Sequence, residues 1–110
     1  MAKYVIKKST DGQFYFTLRA DNGEKILTSE MYKTKAGALD GIQSVMTNSP
    51  DDARYERKIS KAGKPYFVLK AANREVIGSG EEYSSEAARE NGIAAVKAAG
   101  LIAETDDQAK

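Results

Sequence analysis

The stretch Gly12-Gln13-Phe14-Tyr15-Phe16-Thr17-Leu18 returns 51 residues later as Gly63-Lys64-Pro65-Tyr66-Phe67-Val68-Leu69. The same offset aligns residues 3–50 with residues 54–101 without a gap, and 17 of the 48 positions are identical. Chance similarity does not hold one offset across turns, strands and a helix, so the chain is a duplication. The identical pairs include Tyr4/Tyr55, Asn22/Asn73, Glu24/Glu75, Ile26/Ile77, Glu30/Glu81, Tyr32/Tyr83, Gly41/Gly92, Ile42/Ile93 and Val45/Val96.

Each copy predicts three short strands followed by a helix. Aromatic and β-branched residues alternate along the three strands of the first copy. Thr34 and Ser85 are suitable N-caps for helices over about residues 35–48 and 86–99. The predicted strands are Tyr4–Ser9, Phe14–Ala20 and Glu24–Ser29.

The first hairpin is expected to turn through a three-residue loop, Thr10-Asp11-Gly12, because only the glycine recurs in the second copy. This loop length places Tyr4 and Ile6 on the same sheet face as Phe16 and Leu18. A slip of one residue would move the whole apolar set into water.

The second hairpin is expected to turn at Asp21-Asn22-Gly23 and to place Ile26 beside Leu18. The second copy has Arg74 where the first has Gly23. A left-handed arginine is strained by about 1 kcal/mol, so we expect this turn to differ between the copies.

A unit of about 50 residues buries little surface alone, so the two units should share one core. We expect a single α+β domain, residues 1–110, with units at 3–50 and 54–101 related by a pseudo-two-fold axis. Their strands form one antiparallel sheet, and both helices pack on one face. Residues 101–103 could add a final strand, and the polar tail 104–110 should fray.

Gly41 and Gly92 occupy interior positions of the predicted helices, where glycine costs roughly 1 kcal/mol against alanine. Their presence in both copies suggests close approach of the helix backbone to the sheet or to the other helix. Inheritance from one ancestral unit is the alternative.

Composition excludes several function classes. Seventeen Lys and Arg against 16 Asp and Glu leave a net charge of +1, which gives no general attraction to nucleic acid or anionic membrane. No apolar run approaches the roughly 20 residues that span a bilayer, and strand-like sequence from Tyr4 leaves no room for a signal peptide. We therefore expect a cytoplasmic protein without a membrane partner, monomeric because the tandem pair completes its own sheet.

Catalytic chemistry has few candidate residues. Cys and His are absent, which excludes disulfides, a thiolate nucleophile, an imidazole base and the usual zinc sites. No phosphate-binding glycine loop occurs, and no base accompanies the serines and lysines. We expect no enzyme activity and no cofactor or metal.

The repeated residues resemble the YegP-like family of small, mostly bacterial proteins of uncharacterised function. The resemblance covers residues 3 to 101 and departs at Pro65, Arg74 and Glu90. It implies tandem β-β-β-α units in one sheet, and no catalytic or binding residues come with it. Its motifs are Gly12–Leu18, Asn22-Gly23-Glu24, Thr28–Tyr32 and Gly41–Val45, matched in the second copy by Gly63, Tyr66–Leu69, Asn73, Glu75, Glu81-Glu82-Tyr83 and Gly92-Ile93.

Two sets of polar residues are weak site candidates. Adjacent carboxylates can bind hard cations, but neighbours on a strand face opposite ways, so solvated turns are the simpler interpretation. Glu30 with Tyr32, and Glu81 with Tyr83, could form two symmetric pockets at the helix N-termini. Alternatively, each tyrosine covers the core edge with its hydroxyl hydrogen-bonded, a role we favour. The carboxylate pairs are Asp51-Asp52, Glu81-Glu82 and Asp106-Asp107.

The sheet face away from the helices is the third candidate. Interleaved aromatic and basic side chains on an open sheet can stack bases and neutralise phosphates. The same residues are also ordinary on the wet face of an antiparallel sheet, and Glu56 and Val76 interrupt the patch. The candidate binding residues are Lys7, Tyr15, Arg19, Lys25, Lys58, Tyr66 and Lys70.

The sequence therefore predicts a non-enzymatic binding or interaction module that works through the exposed sheet face or through a sheet edge. Binding of single-stranded nucleic acid through Tyr15, Tyr66 and the neighbouring cations is the alternative. Neither interpretation names a ligand.

Overall fold

The fold of residues 1–109 is described by a computed structural model. Lys110, the last residue of the predicted tail, lies outside the described residues. The strands are β1 Lys3–Lys8, β2 Phe14–Arg19, β3 Lys25–Ser29, β4 Tyr55–Ile59, β5 Pro65–Lys70, β6 Val76–Ser79 and β7 Glu104–Asp107, and the helices are α1 Lys35–Asn48 and α2 Glu86–Gly100.

The strands form one seven-stranded sheet in the order β4-β5-β6-β3-β2-β1-β7. The two repeats join where β3 pairs antiparallel with β6. Thr28 lies opposite Ser79, its counterpart in the other repeat, so the pseudo-two-fold axis passes between these residues. The predicted α+β architecture of tandem β-β-β-α units is confirmed.

One hydrophobic core unites both repeats. Side chains from one face of the sheet, among them Tyr4, Phe16 and Phe67, belong to the same buried cluster as Ile42 of α1 and Ile93 of α2. The predicted N-caps are confirmed, because the Thr34 and Ser85 hydroxyls accept from backbone N–H groups of the first helical turns. Both helices therefore cover one face, and the other face carries no helix.

The first hairpin has the expected geometry in both repeats. Gly12 and Gly63 adopt positive φ, and Tyr4 pairs with Leu18 while Ile6 pairs with Phe16. The alternation of the strands thus places the apolar residues toward the helices.

The second hairpin differs from expectation in two ways. Leu18 lies opposite Leu27 rather than Ile26, because a bulge follows Leu18. A bulge puts two consecutive residues on one side of the sheet, and both Ile26 and Leu27 are buried. The turn does not differ between copies: Arg74 takes φ 72° where Gly23 takes 84°.

The last strand corrects two further expectations. It occupies Glu104–Asp107 instead of residues 101–103, in the segment expected to fray, and it pairs parallel with β1, so the sheet is mixed rather than antiparallel. The repeat explains this position. In the second repeat, β5 pairs with β4, the strand that follows α1. In the first repeat, the equivalent neighbour of β2 is β1, so that position is not open to the strand that follows α2. That strand, β7, therefore pairs with the outer edge of β1. Buried Ala103 and Ala109 flank it.

Candidate functional site

A row of small side chains crosses the centre of the helix-free face. Successive strand pairings place Val5, Thr17, Thr28, Ser79 and Val68 side by side. Thr17 is 5% exposed, and its hydroxyl has no hydrogen-bond partner among residues 1–109. The centre of this face is therefore flat, and the larger side chains stand on either side of the row.

The predicted binding residues divide into two symmetric groups on this face. Lys7 lies directly opposite Tyr15, and Lys58 lies directly opposite Tyr66. The tyrosines are on different strands and on opposite sides of the small-residue row, which separates them by about 20 Å. The two rings therefore cannot stack neighbouring bases of one strand.

Most of the remaining predicted cations already have partners. Lys25 Nζ lies 3.3 Å from Glu81, Lys70 forms an ion pair with Glu56, and Arg19 donates to the carbonyl of Gly23 at 3.1 Å. Lys7 and Lys58 form no ion pair within residues 1–109. The face has fewer free cations than its composition indicates.

The adjacent carboxylates serve local structure. Asp51 accepts from the backbone N–H of Ala53, and Asp52 accepts from Lys97 at 2.7 Å and from Arg57 at 3.1 Å. Lys97 and then Arg57 hold the pKa of the Asp52 carboxyl below its usual value. Within residues 1–109, no three acidic side chains are grouped closely enough to hold a metal ion.

The repeated tyrosines Tyr32 and Tyr83 pack at the edge of the core, which is the role favoured for them from the sequence. The ring of Tyr32 is stacked with Phe16 at 6.3 Å, and Tyr83 is stacked with Phe67 at the same distance. Burial, and then Glu30, raise the pKa of Tyr32. Neither hydroxyl has a hydrogen-bond partner within residues 1–109, so the hydrogen bond expected for these hydroxyls is not formed.

These rings also explain the interior glycines. A Cβ on Gly41 would lie 2.4 Å from the Tyr32 hydroxyl, and one on Gly92 would lie 2.1 Å from that of Tyr83. The close approach is thus made by a tyrosine from the segment before the same helix. The Phe16 ring of β2 would also lie 2.9 Å from a Cβ on Gly41, so the expected approach to the sheet is present there through a side chain. None of the three nearest atoms at either glycine belongs to the other helix.

Two symmetry-related grooves lie beside these tyrosines, and each is built from both repeats. We call them the lysine groove, about 460 Å³, and the valine groove, about 390 Å³, after Lys25 and Val76, which occupy matching positions in the two repeats. The lysine groove includes Glu24, Lys25, Glu81, Tyr83, Asn91 and Gly92. The valine groove includes the matching Glu75, Val76, Glu30, Tyr32, Asp40 and Gly41.

Sequence reasoning paired each glutamate with the tyrosine two residues later and missed the second glutamate, which comes from the other repeat. The available signal was the identity of Glu24 with Glu75. Glu24 directly precedes β3 and Glu75 directly precedes β6, and both side chains are exposed.

The outer edge of β4 is a further feature. β4 pairs with β5 on one side and ends the sheet on the other. On its repeat counterpart β1, the carbonyls of Ala2 and Ile6 accept from Glu104 and Gln108 of the β7 segment. By the 51-residue offset, the matching carbonyls belong to Ala53 and Arg57. The N–H of Tyr55 already donates to the carbonyl of Asp52, so the outward-facing groups of β4 that are open to an added strand are those of Arg57 and Ile59.

Comparison with known proteins agrees with the repeat. The model of a family described as "Domain of unknown function (DUF1508)" matches residues 9–56 and 60–107, again 51 residues apart. The first matched range begins before β2 and ends in β4, the strand that follows α1. The second begins before β5 and ends in β7, the strand that follows α2, so the family model groups β7 with the second unit. Across residues 1–109, no helix is long and apolar enough to cross a membrane.

Relatives cover nearly the whole chain. A UPF0339 protein of Acinetobacter baylyi is 56% identical over 94% of each chain. The solution structure of a UPF0339 protein from Shewanella oneidensis superposes with a TM-score of 0.92 at 51% identity, covering 98% of this chain and 92% of that one. That of the Escherichia coli protein yegP, described as of unknown function, gives 0.93 at 49%, covering 98% and 93%. These relatives show no specific function, and the chain belongs to the DUF1508 family, with two tandem copies, as its resemblance to YegP-like proteins implied.

Proposed function

We propose that this protein is a non-enzymatic binding module that takes an extended acidic segment of a partner protein along the outer edge of β4. The observation that supports the proposal is internal to the molecule. The equivalent edge of β1 already accepts an added strand, β7, in parallel register. The sheet edge that this repeat builds is therefore competent for strand addition.

Charge favours an acidic occupant. Within β4, Arg57 and Lys58 outnumber Glu56, and Arg54 directly precedes the strand. The strand that adds to β1 carries Glu104, Asp106 and Asp107. In the same register, a ligand residue in the place of Asp107 would face Arg57, because Ile6 faces Asp107 in the first repeat. Charge complementarity of this kind sets register and partner choice more than affinity.

Arg57 also protects the free edge in the unbound protein. Its guanidinium binds Glu90 at 2.7 Å and Asp52 at 3.1 Å. An inward-facing charged residue of this sort discourages indiscriminate pairing of edge strands. A ligand must therefore supply a matching carboxylate, which gives the edge selectivity.

Peptides derived from the β7 sequence test the proposal. The ligand is Ala-Glu-Thr-Lys-Asp-Gln-Ala, in which lysine takes the Asp106 place because Glu56 replaces Val5 on β4. We expect saturable amide shifts at residues 55–59 in NMR titration and slower hydrogen exchange of the Arg57 and Ile59 amides. The charge-reversed peptide Ala-Lys-Thr-Glu-Lys-Gln-Ala is the control.

Ile59→Pro removes an outward N–H without removing a bond to β5, so it should abolish binding while the fold is kept. Equal binding of both peptides, or shifts confined to other surfaces, would rule out this edge as the binding site. The lack of His and Cys supports the non-enzymatic assignment.

A further inference from the structure

We infer that the valine groove binds a primary ammonium group carried on an alkyl chain. This site lies where the start of β6 comes close to α1, away from the outer edge of β4, so its test does not depend on strand addition. The difference between the two grooves supports the inference.

The lysine groove shows what its carboxylates bind. Lys25 reaches Glu81 from the other repeat, with its ammonium nitrogen 3.3 Å from the carboxylate. Glu24 lines the same groove. The chain thus supplies its own alkylammonium to one of the two glutamates that line this groove.

The valine groove keeps the acceptors and lacks the cation. Glu30 and Glu75 match Glu81 and Glu24, and Val76 stands where the other groove has Lys25. Asp40 replaces Asn91, which adds a third carboxylate, and no lysine or arginine is among the residues that line the groove. Glu30 and Glu75 form no ion pair with any residue of 1–109.

The walls of this groove fit an alkyl chain that ends in a charge. Val76, which is 37% exposed, and the buried Ile77 both line the groove and supply apolar atoms to it. The half-buried Tyr32 ring lines the groove and carries a hydroxyl without a partner in residues 1–109. A primary ammonium has three donors for the carboxylates and this hydroxyl, and its alkyl stem would cover the exposed valine.

The ligand chemistry is that of a lysine side chain or of a free aliphatic diamine. Two probes separate these sources: Nα-acetyl-lysine methylamide, and cadaverine. Doubly acetylated lysine methylamide, which has the same chain without the charge, is the control. We expect amide shifts at Tyr32, Gly41 and Glu75 that saturate at one site and weaken with added salt.

Two matched variants exchange the grooves. Val76→Lys supplies an internal ammonium and should weaken probe binding about tenfold or more. Lys25→Val should create a second site, reported by Tyr83 and Gly92. Glu30→Gln, an exposed position that leaves the core intact, should weaken the original site.

Tighter binding of one probe identifies the source, and either result supports an ammonium site. The inference is overturned if the neutral control binds equally well, if Val76→Lys leaves the affinity unchanged, or if Lys25→Val creates no second site. Circular dichroism confirms that each variant is folded.

Discussion

The phenol of Tyr4 donates a 2.5 Å hydrogen bond to the carbonyl oxygen of Gly100, and so ties the first strand of one repeat to the end of the helix of the other. Tyr55, its repeat counterpart, donates to the carbonyl of Ser49 at 2.8 Å. These reciprocal bonds join each helix C-terminus to the opposite repeat. Unpaired carbonyls at a helix end require such partners when they are buried.

Removing either phenol should destabilise the whole molecule. Tyr4→Phe or Tyr55→Phe keeps the ring and leaves a buried carbonyl unpaired, which should cost about 1–2 kcal/mol of the free energy of unfolding. Urea titration measures the loss. Tyr15→Phe, on the helix-free face, is the control and should have little effect. If the free energy of unfolding is unchanged in both the Tyr4→Phe and the Tyr55→Phe variant, these hydrogen bonds do not stabilise the fold.

Alkaline pH should weaken the fold through the same residues. Burial is the main cause that raises the pKa of Tyr4 and of Tyr55. Tyrosine in the unfolded chain titrates near pH 10. The stabilisation is thus fully present below about pH 10 and is lost as pH rises toward the higher pKa of the folded state. The free energy of unfolding, measured across this range, should fall, and the slope should be shallower in a Tyr4→Phe/Tyr55→Phe double variant. A flat profile in the wild type would be inconsistent with buried phenols.

Gly92→Ala should destabilise the protein although alanine is the better helix former by about 1 kcal/mol. The new Cβ would meet the Tyr83 hydroxyl and displace a ring that stacks on Phe67. Overpacking of this kind costs about 1–3 kcal/mol. A double-mutant cycle with Tyr83→Leu tests the cause, because the cost should shrink once the ring is gone.

Ala94→Gly, at an exposed position of the same helix, is the matched control and should lose only about 1 kcal/mol, the normal propensity difference. If Gly92→Ala stabilises the protein, or if its cost does not depend on Tyr83, the glycine is not explained by the tyrosine.

The helix-free face should not bind single-stranded nucleic acid at physiological salt. Lys25 and Lys70 are already paired with carboxylates, and the two tyrosines are too far apart to stack successive bases. Fluorescence anisotropy with a labelled oligonucleotide across a salt series checks this. Affinity that persists at physiological salt and is lost in a Tyr15→Ala/Tyr66→Ala variant would favour nucleic-acid binding instead.

Local rules predicted the parts of this fold that depend on neighbours in sequence. Loop length and alternation placed Tyr4 and Phe16 on the core face, because strand parity follows directly from the turn. They could not place β7, since its position depends on β1 already occupying the place beside β2. The grooves were missed for a similar reason. Glu24 and Glu81 belong to different repeats, and they meet only through the axis between β3 and β6.

The turn at Arg74 allows a reciprocal exchange between the repeats. Arg74→Gly should stabilise the protein by up to about 1 kcal/mol, because it relieves a left-handed arginine. Gly23→Arg should impose a similar cost in the first repeat, where a Cβ would meet no atom within 4 Å and only backbone strain would act. Thermal or urea unfolding of the two variants measures both changes. Effects of the same sign would mean that the Arg74 side chain, rather than its backbone, determines the energy of this turn.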